Sequence, residues 1–108
     1  MTITQSQTPD AGIVQRTVGR YLITTGAAAI TISCGYKPRY VRVVNVTDRI
    51  MMEWFEGMTA ATGVKTIADG TRTLAATNGI TVSEGGFIIG FDTDLVANNK
   101  QISWIAFG

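Results

Sequence analysis

The chain has 108 residues, with nine lysines and arginines, eight aspartates and glutamates, one cysteine and no histidine, so its net charge is +1. This length fits one domain with one hydrophobic core, and the near-neutral balance argues against a nucleic-acid binder, which would show a basic excess. One cysteine excludes an internal disulfide and a cysteine zinc site, and the absence of histidine excludes catalysis by imidazole.

The composition predicts an all-β fold. The chain contains 12 Ile, 9 Val and 16 Thr, but only three each of Leu, Lys and Glu. Branching at Cβ favours an extended backbone, and Leu, Lys and Glu are residues that commonly build helices. The 12 glycines are spread along the chain, as turns between short strands require.

The first predicted unit is a polar arm, residues 1–12, which has almost nothing to bury. The folded domain is expected to span residues 13–108. Within the arm, Thr2, Ile3 and Thr4 have the β character to add a strand to an exposed sheet edge, so we predict that they bind a partner. The chain shows no signal-peptide pattern and no apolar run long enough for a membrane span, so we expect synthesis in a cytoplasm and no membrane partner.

Four strands are predicted in the first half of the domain. Residues 20–24 and 29–33 are expected to pair in a hairpin that turns near Gly26. Residues 39–47 and 50–56 are expected to form a second hairpin around the tight turn at Asp48 and Arg49. Alternation places Tyr40, Arg42, Val44 and Val46 on one face of the third strand, and Val41, Val43, Asn45 and Thr47 on the other.

The sequence of the second half of the domain predicts further short strands. Residues 64–67 and 72–75 flank the hairpin dipeptide Asp69-Gly70, and Asn78-Gly79 marks the next turn. The remaining elements are strands at 80–84, 87–91 and 101–107, with a polar loop at 92–100 that includes one helical turn at 94–97. Eight to nine short strands with regular turn signals predict a single-domain antiparallel β-sandwich, jelly-roll-like in arrangement.

The last strands are apolar on both faces. A sandwich strand in a monomer normally shows one polar face, and charged residues make up only 16% of this chain. Central strands capped by loops would explain the pattern, but a subunit interface explains it better. We therefore predict that Phe87, Ile89, Ile105 and Phe107 take part in self-association.

The basic residues form one cluster, Lys37, Arg39 and Arg42. The interleaved aromatic residues superficially suit nucleic acid, but the net charge of the whole chain does not. The cluster is interpreted either as an ion-paired surface or as a docking site for an acidic protein partner.

The sequence predicts no catalytic centre and no cofactor. It contains no phosphate-binding loop, and Cys34 lacks a histidine base, so we expect it to be a small buried hydrophobe. Glu53 and Glu56 are three residues apart on a predicted strand, which places them on opposite faces, where they are poorly placed to cooperate as acid and base.

One loop carries oxygen ligands at close spacing. Asp92, Asp94, Asn98 and Asn99 could together hold calcium. The glycine and the closing glutamate of the calcium-binding helix–loop–helix pattern are missing, so a polar turn with local side-chain hydrogen bonds is the favoured interpretation.

A series of segments resembles a known class of protein. The segments are 35–45 (GYKPRYVRVVN), 52–58 (MEWFEGM), 69–74 (DGTRTL), 78–82 (NGITV), 86–90 (GFIIG) and 104–106 (WIA). This series, over about residues 35–108, resembles the auxiliary capsid proteins of tailed bacteriophages, also called decoration or cement proteins.

The resemblance implies a structural virion protein without catalytic residues. It implies a β-sandwich or jelly-roll-like domain, often a homotrimer, that binds the major capsid protein on the outside of the shell and stabilises it. Two alternatives stay open. One is another virion component, such as a tail, adaptor or head-fibre protein. The other is a carbohydrate-binding module, with Trp54, Trp104, Tyr36 and Tyr40 stacking on sugars.

Overall fold

The structure is a computed structural model, and it describes residues 15–108. Within this range the chain forms eight strands and no helix, and every strand pair is antiparallel. The all-β, single-domain prediction is therefore confirmed. The strands are β1 Arg16–Ile23, β2 Ile30–Ser33, β3 Tyr40–Asn45, β4 Ile50–Phe55, β5 Thr62–Thr66, β6 Arg72–Ser83, β7 Gly86–Ile89 and β8 Lys100–Phe107.

All eight strands belong to one curled sheet, in the order β1-β8-β3-β4-β5-β6-β7-β2. Strands β3 to β7 form a meander, and β8 then returns to lie between β1 and β3. Inward side chains from both halves of this order, such as Val43 of β3 and Phe87 of β7, belong to one buried cluster. The two halves of the curled sheet thus take the place of the two separate sheets of a jelly roll.

The first two strands do not form the expected hairpin. β1 pairs only with β8 and β2 only with β7, so they lie at opposite edges of the sheet. β1 and β8 have eight residues each, and β2 and β7 have four each. Each edge strand therefore has a neighbour that matches its full length, and the connection at 24–29 runs from one edge to the other.

The dipeptide Asn78-Gly79 lies inside a strand and does not end one. β6 has 12 residues in all and runs through the dipeptide. Its register with β5 shifts there: Gly63 pairs with Ala75, but the preceding residue, Thr62, pairs with Ile80. Asn78 has a positive φ of 56°. The extra residues form a bulge, and a bulge bends a strand and strengthens its twist.

Glycine is required at this bulge because three backbone segments meet there. The N–H of Gly79 donates to the carbonyl of Ala61 at 2.9 Å, and the carbonyl of Gly79 accepts from Gly90 at 3.0 Å. A Cβ at position 79 would overlap the carbonyl carbon and oxygen of Thr62. The sheet can turn this corner only because no side chain stands there.

The loop that follows β7 closes one end of the core. No helix forms at 94–97; hydrogen bonds from the N–H groups of Leu95 and Val96 to the carbonyl of Asp92, at 3.1 Å and 2.7 Å, mark one turn. Leu95 and Val96 are fully buried. The buried side chain of Asn45 donates to the carbonyl of Leu95 at 3.1 Å, which holds the loop against β3.

We expect the substitution Gly79→Ala to destabilise the fold by about 1–3 kcal/mol, the usual cost of forcing atoms into a packed site. Gly85→Ala is the matched control, since a Cβ there meets nothing within 4 Å, and it should leave the free energy of unfolding within about 0.5 kcal/mol of wild type. Urea denaturation measures both. Equal stability of the two variants would contradict the close approach at the bulge.

Candidate interaction surface

Six neighbouring strands carry a continuous outward-facing surface, which we call the outer face. It consists of the outward side chains of β1, β8, β3, β4, β5 and β6, and the strand register aligns them into rows across the sheet. The rows are Arg16–Phe107–Tyr40–Phe55; Val18–Ile105–Arg42–Glu53–Val64–Leu74; and Arg20–Ser103–Val44–Met51–Thr66–Arg72.

Apolar side chains extend across the width of the outer face, on both sides of the Arg42–Glu53 pair. Val18 and Leu74 at the two ends of one row are 69% and 66% exposed, and Phe55 is 48% exposed. A shallow depression of about 190 Å³ lies in the same surface, lined by Arg42, Val44, Ser103, Trp104 and Ile105. A contiguous apolar surface of this kind is typical of a site that contacts another protein.

Three aromatic rings form one row. The ring of Tyr40 lies between Phe55, at a centroid distance of 5.0 Å, and Phe107, at 5.9 Å. Both distances fall in the range of favourable ring–ring contacts. The row therefore presents a rigid aromatic ridge near one end of β3.

A polar network fixes the central ring. The hydroxyl of Tyr40 donates to Glu53 Oε2 at 2.7 Å, and Arg42 Nη2 donates to the same oxygen at 3.2 Å. The hydrogen bond from Tyr40, assisted by Arg42, lowers the pKa of Glu53 below its ordinary value. Burial, followed by the bond to Glu53, raises the pKa of Tyr40. At neutral pH the carboxylate is therefore charged and the phenol is a donor.

The edges of the outer face are positively charged. Glu53 pairs with Arg42, but Arg16, Arg20 and Arg72 make no ion pair within residues 15–108. The two lateral strands of the face, β1 and β6, therefore carry these arginines beside exposed apolar side chains.

Of the residues predicted for self-association, two lie on the outer face and two do not. Ile105 and Phe107 face outward from β8. Phe87 and Ile89 are fully buried in the core of the same chain, so their side chains reach no surface where a second subunit could contact them. On β7 the outward residue is Ile88, which is exposed.

The predicted basic cluster divides between different ion pairs. Arg42 lies on the outer face with Glu53, whereas Arg39 Nε is 3.6 Å from Glu56 Oε2. Lys37 is exposed and lines a cleft of about 300 Å³ together with Glu56. Two of the three cations are thus paired with the chain's own carboxylates, and Glu53 and Glu56 sit in separate pairs.

The other predicted docking residues, Thr2, Ile3 and Thr4, lie outside the described residues. Phe55, Met51 and Val64 of the outer face were missed as surface residues. The alternation in β4 already placed Met51, Glu53 and Phe55 on one side, but the sequence did not show that this side faces solvent.

Of the four aromatic residues considered for sugar binding, Trp54, Trp104 and Tyr36 are packed within the fold, whereas Tyr40 lies on the outer face. Trp54 is only 5% exposed, and the indole of Trp104 lies over Gly19. The hydroxyl of Tyr36 donates to the carbonyl of Ala106 at 2.9 Å. Cys34 is partly buried, with Sγ 3.3 Å from the carbonyl oxygen of Tyr36.

The candidate calcium ligands Asp92 and Asp94 come together around a lysine. Lys65 Nζ is 3.0 Å from both carboxylate oxygens of Asp92 and 2.8 Å from Asp94 Oδ2. Burial alone would lower the pKa of Lys65, but the hydrogen bonds to Asp94 and Asp92 outweigh it and raise the pKa. The side chain of Asn98 instead accepts from the N–H of Ala27. Among residues 15–108, no group of three or more Cys, Asp or Glu side chains could hold a metal ion.

Comparison of the chain with protein-family models, with curated proteins and with solved structures finds no match in any of the three. In the described part of the chain no helix is long and apolar enough to cross a membrane. The resemblance to phage auxiliary capsid proteins therefore stays a prediction from the sequence pattern.

We expect Tyr40→Phe to destabilise the protein at pH 7 by about 1–2 kcal/mol, since Glu53 loses a hydrogen bond to its charged form. The lowered pKa of Glu53 means that the folded state binds its proton less tightly than the unfolded chain. The stabilisation is therefore present above the ordinary glutamate pKa of about 4.3 and is lost as pH falls through the lower folded value.

The difference in unfolding free energy between wild type and Tyr40→Phe should accordingly shrink between pH 6 and pH 3. Urea unfolding at both pH values measures it. A difference that stays constant would show that the hydroxyl does not act through the Glu53 carboxylate.

We expect Lys65→Met to destabilise the fold by about 1.5–3 kcal/mol, because the largely buried Asp92 loses a charged hydrogen-bond partner. Lys100→Met is the control: its pair with Asp48 has the same 3.0 Å distance but more exposed side chains, 30% and 38% against 14% and 12%. That variant should lose less than about 1 kcal/mol. Thermal unfolding of both variants decides whether the loop depends on Lys65.

Proposed function

We propose that this protein is a structural protein that binds a larger protein assembly through its outer face. The observation that carries the proposal is the contiguous apolar surface with its aromatic ridge, Phe107–Tyr40–Phe55. The hydrogen bonds from Tyr40 and Arg42 to Glu53 hold the middle of this surface in place. A surface ordered before binding loses little conformational entropy when a partner covers it.

The resemblance of residues 35–108 to auxiliary capsid proteins supports a particular assembly, the outer surface of a bacteriophage capsid. In this proposal the partner is the major capsid protein, and each bound copy bridges neighbouring shell subunits. A protein that binds only the assembled shell shifts the equilibrium toward it by mass action, and repetition of the site over the shell adds avidity.

The proposal includes no catalytic role, no cofactor, and no nucleic-acid or membrane partner. The resemblance also implies self-association, with a homotrimer as the usual state. Another virion position, on a tail, adaptor or head fibre, would use the same outer face. The carbohydrate-binding alternative is weaker, because Trp54 is buried and the Tyr36 hydroxyl is bonded within the fold.

The location is tested by immunogold electron microscopy of virus particles purified from the source of the gene, with an antibody raised against this chain. Gold on the capsid exterior supports a decoration protein. Gold at the tail or neck would replace that proposal with another virion component, and particles without label would contradict a virion role.

We expect Phe107→Ser to weaken binding to the partner particle at least tenfold, which corresponds to about 1.4 kcal/mol, because it removes one ring of the aromatic ridge. Phe91→Ser is the matched control: Phe91 is 40% exposed and Phe107 is 37% exposed, but Phe91 lies after β7 and outside the outer face. Co-sedimentation with stripped particles measures both, after circular dichroism has shown that both are folded. Equal loss in the two variants would contradict docking through the outer face.

A further inference from the structure

Among residues 15–108, β1 forms one edge of the sheet. β1 has eight residues, Arg16–Ile23, and within the described chain it pairs with β8 alone. Its side chains include Val18 at 69% and Leu22 at 62% exposure. A long exposed edge with apolar side chains is a template for another strand.

The hydrogen bonds at the two ends of β1 show which of its residues direct their N–H and C=O groups to this edge. The carbonyl of Gln15 accepts from Gly108 at 2.8 Å, and the carbonyl of Ile23 accepts from Asn99 at 2.7 Å. In an antiparallel pair, alternate residues point their N–H and C=O groups to the same neighbour. Odd residues of β1 therefore bond toward β8, and the even residues Arg16, Val18, Arg20 and Leu22 point theirs to the free edge.

A second β1 strand matches this pattern. Two antiparallel copies form hydrogen bonds only when even residues face even residues. The register with Gly19 opposite Gly19 meets this condition. It places Arg16 of each copy opposite Leu22 of the other, and Val18 of each copy opposite Arg20 of the other. Gly19 has no side chain at the two-fold axis, and its inner side is covered by the indole of Trp104 from the same chain.

The two arginines select this register. The neighbouring registers with the same hydrogen-bond pattern are reached by sliding one strand by two residues. Sliding it one way places Arg16 directly opposite Arg20, and sliding it the other way places Arg20 opposite Arg20. Like charges directly opposite each other on a sheet are destabilising. The register centred on Gly19 is thus the longest that avoids such a pair. β2, the other edge, has only four residues and cannot match the length of β1.

From these observations we infer that β1 is a self-association edge, which pairs with β1 of a second copy in the register centred on Gly19. The product is an isologous dimer with one continuous sheet through both copies. Its two outer faces lie side by side, so the dimer presents two docking surfaces to a partner. The inference goes beyond the proposed function, and the two-fold contact differs from the trimer that the resemblance implies.

The first test is analytical ultracentrifugation of the whole chain at 5–100 µM. The wild type should sediment with twice the chain mass of 11.6 kDa. V18K places a lysine opposite Arg20 of the second copy and should weaken the dimer at least tenfold. L74K is the matched control: Leu74 is 66% exposed but lies on β6, and this variant should dimerise within twofold of wild type.

The second test fixes the register and does not depend on V18K being folded. V18C and R20C are made separately in a C34S background, mixed and oxidised. Residues directly opposite in a hydrogen-bonded pair have Cα atoms about 5.5 Å apart, which suits a disulfide. The mixture should therefore form a covalent dimer, and either variant alone should form it at least tenfold more slowly.

Each other outcome overturns the inference. A wild-type monomer at 100 µM or a trimer excludes the β1 dimer, and the trimer would favour the state implied by the resemblance. A dimer that survives V18K uses another surface. Cross-linking of V18C alone at the rate of the mixture shows a different register. Because the isolated protein is used throughout, failure of the capsid proposal leaves these readouts unaffected.

Discussion

The structure depends on the position of β8 between β1 and β3. The last strand of the chain returns to the second position of the sheet, where all eight of its residues pair with β1 and residues 102–107 also pair with β3. This return gives β1 its only partner in the described chain. It also obliges the connection after β7 to cross the end of the core, where Leu95 and Val96 fill the opening and Asn45 holds them. The rows of the outer face exist because β8 lines up β1 with the meander.

The curl of the sheet and the character of its outer face are linked. At the bulge in β6, Gly79 permits three backbone segments to meet, and the sheet turns so that β7 faces β3 across one core. The inward residues are then buried, while among residues 15–108 no layer covers the outward residues of β1, β8, β3, β4, β5 and β6. The apolar side chains of these outward residues remain exposed. Glu53 is the only outward carboxylate on these six strands, and it accepts hydrogen bonds from Tyr40 and Arg42.

The near-neutral net charge of the chain conceals an uneven distribution. Three arginines at the lateral ends of the outer face have no carboxylate partner within residues 15–108, whereas Asp92 and Asp94 are held by Lys65 beside the loop that closes the core. In the proposed complexes, apolar contact across the face would supply binding energy, and the arginines would guide the orientation of an acidic partner or select the register of a strand. One small domain thus carries a face and an edge: the face is built from side chains, the edge from the backbone of β1, and the two share the side chains of Arg16, Val18 and Arg20.

The sequence by itself determined the fold class, the second hairpin and the alternation in β3, because β-branched composition, turn dipeptides and a two-residue period act locally. Its prediction that Ile105 and Phe107 take part in self-association stays a prediction, although both residues face outward from β8. The sequence did not determine the neighbours of β1 and β2, since pairing between distant strands leaves no local signal and the lengths of all candidates must be compared. For the same reason Asn78-Gly79 was interpreted as a turn, although the dipeptide is a bulge whose glycine is required by Thr62 on another strand. Only the tertiary structure decided three further features: Phe87 and Ile89 are buried, Phe55 is exposed, and Lys65 pairs with Asp92 and Asp94. Each depends on which residues the curl of the sheet brings together.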